Sequence, residues 1–429
     1  MTDRNAQPYA AFRLNLEQQH KRAKDLLKAA RAGEPDALRR LHGAGFPAPA
    51  EPKLAQAQHC IARELRFASW AALKRHIGDM ERTRRALGAQ ALDDQPLDDD
   101  SRTMHIRCGD DIKGALRDAG LHGDFNAHIN PYLQGPVTDA PDWLERRARF
   151  IADAIGPYQQ LDYASVLEGA HAEERRLAEA SRDYSRVALW LEHDRYDQFV
   201  LLRCLAWFAE HGAPPRLELV GPHDFPGATR FVGLGQLPPE ALRLLWARRE
   251  PIRAEQLAFG ASVWKAFRAP DPRALAALAR DGTPLLPALA GALHRHLQEL
   301  PSRNVGLGLT HRLLLQALAD DGAQRAGRLV GLVMHDRDPL PGLGDIGYDL
   351  ALRELAALPD PLVLRSGANA RDAWNLDEVS ITDSGLAVLE GKRDALELPL
   401  PERWVGGVRI APAQRNWRWD ERTRGVEHR

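Results

Sequence analysis

The stretch Val187–Trp207 reads V-A-L-W-L-E-H-D-R-Y-D-Q-F-V-L-L-R-C-L-A-W. Its apolar start, Val187–Leu191, predicts a buried β-strand, and a helix is predicted from about Arg195. The densest polar cluster of the chain lies at this junction and comprises Glu192, His193, Asp194, Tyr196, Asp197 and Gln198. In open α/β sheets ligands bind beyond the carboxyl ends of the strands. The sequence therefore predicts a functional site at this junction.

Three further strands are predicted around this one, at Met104–Cys108, Phe125–Ile129 and Arg216–Val220. The first two flank a short helical pattern, which predicts a right-handed βαβ unit with parallel strands. Polar residues also follow these strands, namely Gly109, Asp110, Asp111, Gln134, His223 and Asp224. Parallel strands would bring all of these groups to one edge of the sheet, so they join the junction residues as site candidates.

Histidine beside carboxylates suits general acid–base chemistry, because a carboxylate orients the imidazole and raises its pKa. We therefore assign His193, Asp194 and Asp110 as candidate catalytic residues. The ligand-binding candidates are Gly109, Asp111, Gln134, Glu192, Asp197, Gln198, His223 and Asp224. Histidines with carboxylates also suit a divalent metal, but no residue is assigned as a metal ligand and no motif identifies a cofactor.

A purely structural interpretation of the same residues stays open. Asp194 is placed to cap the helix that follows, with Asp197 at the position of a capping-box acid. Asp110 or Asp111 is likewise placed to cap the helix after the first strand. The Gly109 turn has too few glycines for a dinucleotide loop and no Walker lysine, and the G-x-S-x-G nucleophile motif is absent.

A chain of 429 residues is too long for a single core, so several domains are expected. The predicted fold class is α/β, with a small, mostly parallel sheet, flanking helices, an N-terminal helical module and a winged-helix-like C-terminal domain. The predicted segments are a helical module at 10–87, an acidic linker at 88–102, the α/β domain at 103–236, a helical extension at 237–303, the winged-helix-like domain at 304–412 and a tail at 413–429.

The net charge of −1 gives no overall attraction to nucleic acid or anionic membranes. Asp345–Leu358, the predicted last helix before the hairpin of the winged-helix-like domain, has one arginine against three acids, which argues against DNA binding. The three widely spaced cysteines fit a reducing cytoplasm. No apolar run is long enough for a membrane span, and M-T-D-R-N-A-Q does not predict a signal peptide. The expected partners are a small-molecule ligand and a protein bound through 10–87.

Two resemblances extend this interpretation. A-R-E-L-R-F-A-S-W-A-A-L-K-R-H-I, from Ala62 to Ile77, resembles a helical segment that often precedes ankyrin repeats in bacterial proteins. The motifs H-I-R-C-G-D-D-I, L-W-L-E-H-D-R-Y-D-Q and G-L-G-Q-L-P-P-E resemble an uncharacterised bacterial family whose domain has no known function. That likeness covers about 103–300, has a companion C-terminal domain to about 410, and implies no established activity.

The chain departs from this family pattern at two places. Asn130 and Gln134 stand where the family pattern has acids, so acids have become amides. If those acids act in catalysis, the resemblance implies that this chain binds a ligand without turning it over. The first functional hypothesis is thus a polar strand-end site for a nucleotide-like or amine metabolite. The alternatives are an acid–base or metal-assisted hydrolase or transferase using His193 with Asp194 and Asp110, and a protein-interaction scaffold without catalysis.

Overall fold

A computed structural model describes residues 12–46, 51–90, 96–227, 231–367 and 373–429. The fold is mixed helix and sheet, with a small, mostly parallel five-stranded sheet and flanking helices, which confirms the predicted α/β class. The sheet strands are β1 (Thr103–Cys108), β2 (Asp124–His128), β3 (Arg186–Trp190), β4 (Arg216–Val220) and β5 (Glu250–Pro251). They lie in the order β2-β1-β3-β4-β5. The four predicted strands match the observed ones to within a residue at each end.

Flanking helices accompany this sheet. In chain order they are α1 (Leu16–Arg31), α2 (Pro35–Gly43), α3 (Leu54–Glu64), α4 (Trp70–Gln90), α5 (Lys113–Asp118), α6 (Trp143–Ala154), α7 (Gly156–Gln159), α8 (Tyr163–Asp183), α9 (Arg195–His211), α10 (Pro239–Trp246), α11 (Ala254–Phe267), α12 (Arg273–Asp281), α13 (Leu289–Leu297), α14 (Leu309–Asp321), α15 (Ala326–Leu332), α16 (Asp345–Ala356) and α17 (Asp383–Leu389). A turn of π-helix at Val333–Arg337 continues α15.

The remaining strands form three small antiparallel sheets. They are β6 (Gln324–Arg325), β7 (Val363–Ser366), β8 (Glu378–Ile381), β9 (Arg403–Val405), β10 (Val408–Ile410), β11 (Trp417–Asp420) and β12 (Gly425–His428). In the first sheet β8 is central, with Val379 opposite both Gln324 and Arg365. The predicted tail is the β11–β12 hairpin, and its Trp419 is fully buried.

By its internal contacts the chain forms two compact units. Unit 1 comprises Met1–His105, Asp110–Phe125 and Glu218–Glu250. Unit 2 comprises Ile106–Gly109, Asn126–Leu217 and Pro251–Arg429. Both units are assembled from separate stretches of chain, and the domain boundaries proposed from the sequence stay predictions.

Unit 1 contains the predicted N-terminal helical module. Asn15 and Ser69 cap α1 and α4 by accepting from the backbone N–H of Gln18 at 2.9 Å and of Ala72 at 3.1 Å. A buried apolar cluster then holds α1 to α4 together, with Leu26, Ile61, Leu73 and Ile77 among its members. The helical spacing of these apolar residues is what makes the module visible in the sequence.

The predicted acidic linker differs from the structure at both ends. Helix α4 continues to Gln90, residues 91–95 lie outside the described residues, and so do the first residues of the predicted helical module. Asp98 is buried, accepts from the backbone N–H of Gly123 at 2.7 Å and pairs with His105 at 2.8 Å. Burial opposes these hydrogen bonds, whose net effect is to lower the pKa of Asp98 to about 2. This stretch is therefore partly a folded turn rather than a solvated linker.

Unit 2 is organised around β3 and α9, as the opening stretch predicts. Every side chain of β3 is buried, which is typical of a strand covered on both faces. Helix α11 approaches α9 closely at Gly260, where an added Cβ would lie 2.6 Å from a side-chain atom of Leu205. A second apolar cluster, including Leu315, Tyr348, Leu352 and Val379, forms the core under α14 to α17.

Two further findings bear on the sequence-based expectations. All three cysteines, Cys60, Cys108 and Cys204, are free thiols. Within the described ranges, every helix is too short or too polar to cross a lipid bilayer.

Candidate functional site

The polar cluster at the β3–α9 junction is held by backbone and side-chain hydrogen bonds. Asp194 caps α9, because its Oδ1 accepts from the backbone N–H of Asp197 at 2.9 Å. The carboxylate of Asp197 is buried and accepts from the backbone N–H of Glu192 at 2.7 Å. Gln198 donates from Nε2 to the carbonyl oxygen of Glu192 at 2.5 Å. His193, which lies between Glu192 and Asp194 in the chain, is half-buried.

Arg107, from β1, supplies the positive charge of this cluster. Its guanidinium is buried, contacts the carboxylate of Asp197 and donates to Glu192 Oε1 at 3.2 Å. Burial raises the pKa of Asp197 to about 7; the Arg107 charge opposes this rise and the Asp194 charge adds to it. Burial also raises the pKa of Asp194 and raises the pKa of Cys108 well above its ordinary value.

The same cluster has the spacing of a metal site. Carboxylate oxygens of Glu192, Asp194 and Asp197 lie within 4.8 Å of one another, close enough to ligate one divalent ion. Glu192 and Asp197 already bind Arg107, however, so a metal ion would compete with the guanidinium. The geometry is thus explained by a buried ion pair and a helix cap.

The predicted site residues divide between the units. Gly109, Gln134, Glu192, His193, Asp194, Asp197 and Gln198 belong to unit 2, whereas Asp110, Asp111, His223 and Asp224 belong to unit 1. Gly109 has a φ of 79°, which favours glycine, and donates from its backbone N to the carbonyl of His128 at 3.3 Å. The meeting of all these residues at one sheet edge stays a prediction.

The unit 1 candidates lie near the surface. No side chain caps α5, so the predicted capping by Asp110 or Asp111 is wrong; the backbone carbonyl of Asp110 accepts from the N–H of Lys113 at 3.0 Å instead. His223 is exposed, and Asp224 pairs with Arg66 at 3.3 Å, also at the surface.

A cavity of about 510 Å³ lies beyond the carboxyl end of β2, within unit 2. The segment that follows β2, from Ile129 to Gln134, forms part of its wall, and Tyr196 at the start of α9 forms another part. Ile129, which directly follows β2, is 64% exposed, which is unusual for an isoleucine. The predicted ligand-binding residue Gln134 lines this cavity, together with Asn130.

Helices α6 and α8 provide the opposite walls. Side chains at helical spacing on α6 line the cavity, namely Leu144, Arg147, Ala148 and Ile151, together with the C-cap residue Ile155. On α8 the lining residues Val166, Gly169, Ala170 and Glu173 also share one face. The cavity therefore has an apolar wall and a few polar groups, which is the usual composition of a small-molecule site.

Arg147 is the charged group buried most deeply in this wall, with 1% of its surface exposed. It contacts Asn130 Oδ1 through Nε and donates from Nη1 to the carbonyl of Gln134 at 2.8 Å and, at 3.5 Å, to that of Pro136. Its Nη2 is buried and has no hydrogen-bond partner. Burial lowers the pKa of Arg147 to about 10.

Two acids line the cavity, the exposed Asp345 and the half-buried Glu173. Glu173 Oε1 accepts from the backbone N–H of Ile129 at 2.7 Å, and its Oε2 lies 3.6 Å from Nε2 of His128. Burial raises the pKa of Glu173 to about 7, although the N–H of Ile129 and the charge of Arg147 act to lower it. Burial lowers the pKa of His128 to about 3, so this imidazole is neutral and its Nε2 is bonded to the hydroxyl of Tyr132 at 2.8 Å.

Sequence reasoning missed Arg147 and Glu173. Both lie in helices rich in arginine and glutamate, where each looks like part of a solvated face. Arg107 was also missed, although an arginine inside an apolar strand is a usable signal for a buried ion pair. No protein-family model and no curated protein matches the chain.

Proposed function

We propose that this chain is a cytoplasmic small-molecule-binding protein whose ligand occupies the cavity between α6, α8 and the segment after β2. The observation that carries the proposal is the cavity itself. Its volume of about 510 Å³ is in the range that holds a metabolite-sized ligand. Its position beyond a strand end is where open α/β sheets bind their ligands.

The polar groups of the cavity favour binding over catalysis as the first hypothesis. Asn130 and Gln134, which stand where the resembled bacterial family has acids, both line the cavity as amides. From the sequence motifs that resemble it, we also propose that the chain is a member of that family. Amides retain hydrogen bonding to a ligand but cannot exchange protons at neutral pH.

The proposal is tested by filling the cavity. A Cβ added at Gly169 meets no atom within 4 Å, so Gly169→Phe should fold while it occupies part of the ligand volume. The probe is the neutral fluorophore phenylnaphthylamine, titrated against the full chain. We expect saturable one-to-one binding to the wild type and at least about tenfold weaker binding to Gly169→Phe, because one aromatic side chain displaces a comparable part of the probe.

Two variants serve as controls for this experiment. Gly169→Ala adds helix propensity with little volume, and should bind the probe as the wild type does. Gly88→Phe makes the same substitution in α4, where an added Cβ also meets no atom within 4 Å. Equal binding by Gly169→Phe and Gly88→Phe would contradict the proposed site.

A second candidate function is an acid–base or metal-assisted hydrolase or transferase at the β3–α9 junction. The close approach of the Glu192, Asp194 and Asp197 carboxylates favours it. His193→Ala should then abolish turnover and leave ligand binding intact. Elemental analysis of the purified protein without a stoichiometric divalent ion would contradict the metal-assisted version.

We also propose that residues 304–412 form a winged-helix-like domain with a structural or protein-contact role. The order α14, β6, α15, α16, β7, β8 and the sheet order β6-β8-β7 support this assignment. Half of α16, including Tyr348, Asp349 and Leu352, is buried, and its first turn is acidic. Such a helix is a poor reader of DNA, because phosphate neutralisation requires exposed basic side chains.

A further inference from the structure

Arg147 differs from Arg107, Arg203 and Arg295, three other buried arginines of unit 2, in lacking an acidic partner. Arg107 contacts Asp197, Arg203 pairs with Glu174 at 2.5 Å, and Arg295 pairs with Asp338 at 2.7 Å. Among the described residues, no carboxylate lies within ion-pair distance of the Arg147 guanidinium, whose acceptors are the amide oxygen of Asn130 and two backbone carbonyls. A buried cation held only by neutral acceptors is costly unless an anion completes its surroundings.

Neither acid of the cavity completes them, because no ion pair or hydrogen bond joins Arg147 to Glu173 or to Asp345 among the described residues. Glu173 lines the same cavity, but its Oε1 is bonded to the backbone N–H of Ile129 and its Oε2 lies beside His128. The Nη2 group of Arg147 remains without an acceptor. Arg147 lines the cavity, and its unused N–H pair is enclosed in the wall. Once the side chain turns this group toward the empty volume, it is suited to a carboxylate or a similar oxyanion, which accepts charge-assisted hydrogen bonds.

One part of the cavity wall is suited to hydrocarbon, although Gln159, Ser165 and Asp345 also line the cavity. Leu144, Ile151 and Ile155 extend along α6 on the same face as Arg147, and each is only half-buried. Val166 faces them from α8. An apolar helix face left partly open beside a cavity is available to an apolar ligand body, because covering it removes hydrocarbon from water.

We propose that the ligand is an amphipathic anion, with an apolar body against α6 and α8 and one oxyanion group directed toward Arg147. This proposal rests on the proposed function. This departs from the amine metabolite suggested by the sequence, because an ammonium group would place a second cation beside a buried guanidinium. A nucleotide-like ligand meets the same requirement only if its anionic group reaches Arg147.

A matched pair of fluorophores tests the charge preference. Anilinonaphthalene sulfonate has the ring system of phenylnaphthylamine plus one sulfonate group. We expect the wild type to bind the sulfonate at least about tenfold more tightly than the neutral probe, as a charge-assisted hydrogen bond requires. In Arg147→Met the ratio of the two affinities should fall to about one.

The control is Arg146→Met, which removes an exposed arginine from the neighbouring position of α6, where it pairs with Asp142 at 2.8 Å. This variant should keep the preference for the sulfonate, whereas loss of the preference in both variants would overturn the assignment to Arg147. If the wild type binds both probes equally, the proposal of an anionic ligand is wrong, but the proposal that the cavity binds a ligand is not affected. If the neutral probe does not bind at all, the proposed function itself fails, so the two failures are distinguishable.

A second measurement needs no variant and decides the matter if Arg147→Met does not fold. Octanoate, octanol and octylammonium share one alkyl chain and differ in charge, and each is titrated as a competitor of phenylnaphthylamine on the wild type. We expect octanoate to displace the probe at a concentration about tenfold lower than octanol, with octylammonium weakest. Displacement that is strongest with octylammonium would overturn the anion and favour an amine paired with Glu173.

Discussion

At the β3–α9 junction a buried guanidinium contacts carboxylates, whereas at the cavity wall a buried guanidinium contacts only neutral acceptors. Arg107 and Arg147 are both almost fully buried in unit 2. The first is neutralised by Asp197 and Glu192 from within the chain. The second faces a cavity and keeps an unpaired Nη2. The comparison teaches that a buried charge does not by itself identify a ligand site. A buried charge that has no counter-ion within the chain and lines a cavity does.

The largest effect is expected from Arg107→Met. The substitution leaves Asp197 and Glu192 buried without their cation, so the free energy of unfolding should fall by about 3–5 kcal/mol at neutral pH. This loss is measured by comparing the urea unfolding of the variant with that of the wild type. Adding Asp197→Asn to this variant should recover part of the loss, since one buried acid is then removed. A loss below about 1 kcal/mol would break the comparison, because it would mean that these acids do not need Arg107.

The next effect concerns Glu173 and depends on pH. Its pKa is about 7 in the folded protein against an ordinary value of 4.5, so the folded state holds a proton that the unfolded state has lost across this window. The free energy of unfolding should therefore fall as the pH rises from about 4.5 to about 7, by on the order of 2 kcal/mol. In Glu173→Gln the fall should be smaller by this amount, because the amide does not titrate and its oxygen still accepts from Ile129. Asp197, whose pKa is also raised to about 7, keeps its own contribution in both proteins.

The groups that face Glu173 do not account for such a slope. His128, from β2, stays neutral in this window because its pKa is lowered to about 3, and Arg147, from α6, stays charged because its pKa is about 10. The matched control is Glu168→Gln, which removes an exposed glutamate from the same helix and should keep the wild-type slope. Parallel stability curves for wild type and Glu173→Gln between about pH 4.5 and 7 would count against the raised pKa.

A smaller effect on stability is expected from Arg147→Met. The variant leaves the Asn130 amide oxygen and the Gln134 carbonyl without a donor, which destabilises, but it also removes an uncompensated buried charge, which stabilises. The two contributions offset, so the free energy of unfolding should change by less than about 2 kcal/mol. Urea unfolding beside Arg107→Met makes the comparison direct. An equally large loss in both variants would mean that Arg147 is a structural charge.

The sequence predicts local features well because they depend on neighbouring residues. The apolar run Val187–Leu191 and the cap at Asp194 each place an element to within a residue or so. Which arginine of α6 is buried depends instead on how α6 packs beside α8. Arg146 and Arg147 are adjacent in the chain, yet the first is exposed and the second is 1% exposed.

The smallest effect is expected from substitutions of Asp194, which test whether this residue only caps α9 or also takes part in catalysis. Asp194→Ala removes the acceptor for the backbone N–H of Asp197, so the free energy of unfolding should fall by about 1 kcal/mol. Asp194→Asn keeps an oxygen that can accept this bond, and should stay close to wild type in a thermal or urea melt. Because Asn cannot act as an acid or base, a junction that serves only as structure tolerates Asn in every assay, including binding of phenylnaphthylamine at the cavity. If a substrate is found whose turnover is lost in Asp194→Asn at unchanged stability, the junction is a reacting site. Arg107 would then belong to the functional site, in the role that is assigned here to Arg147.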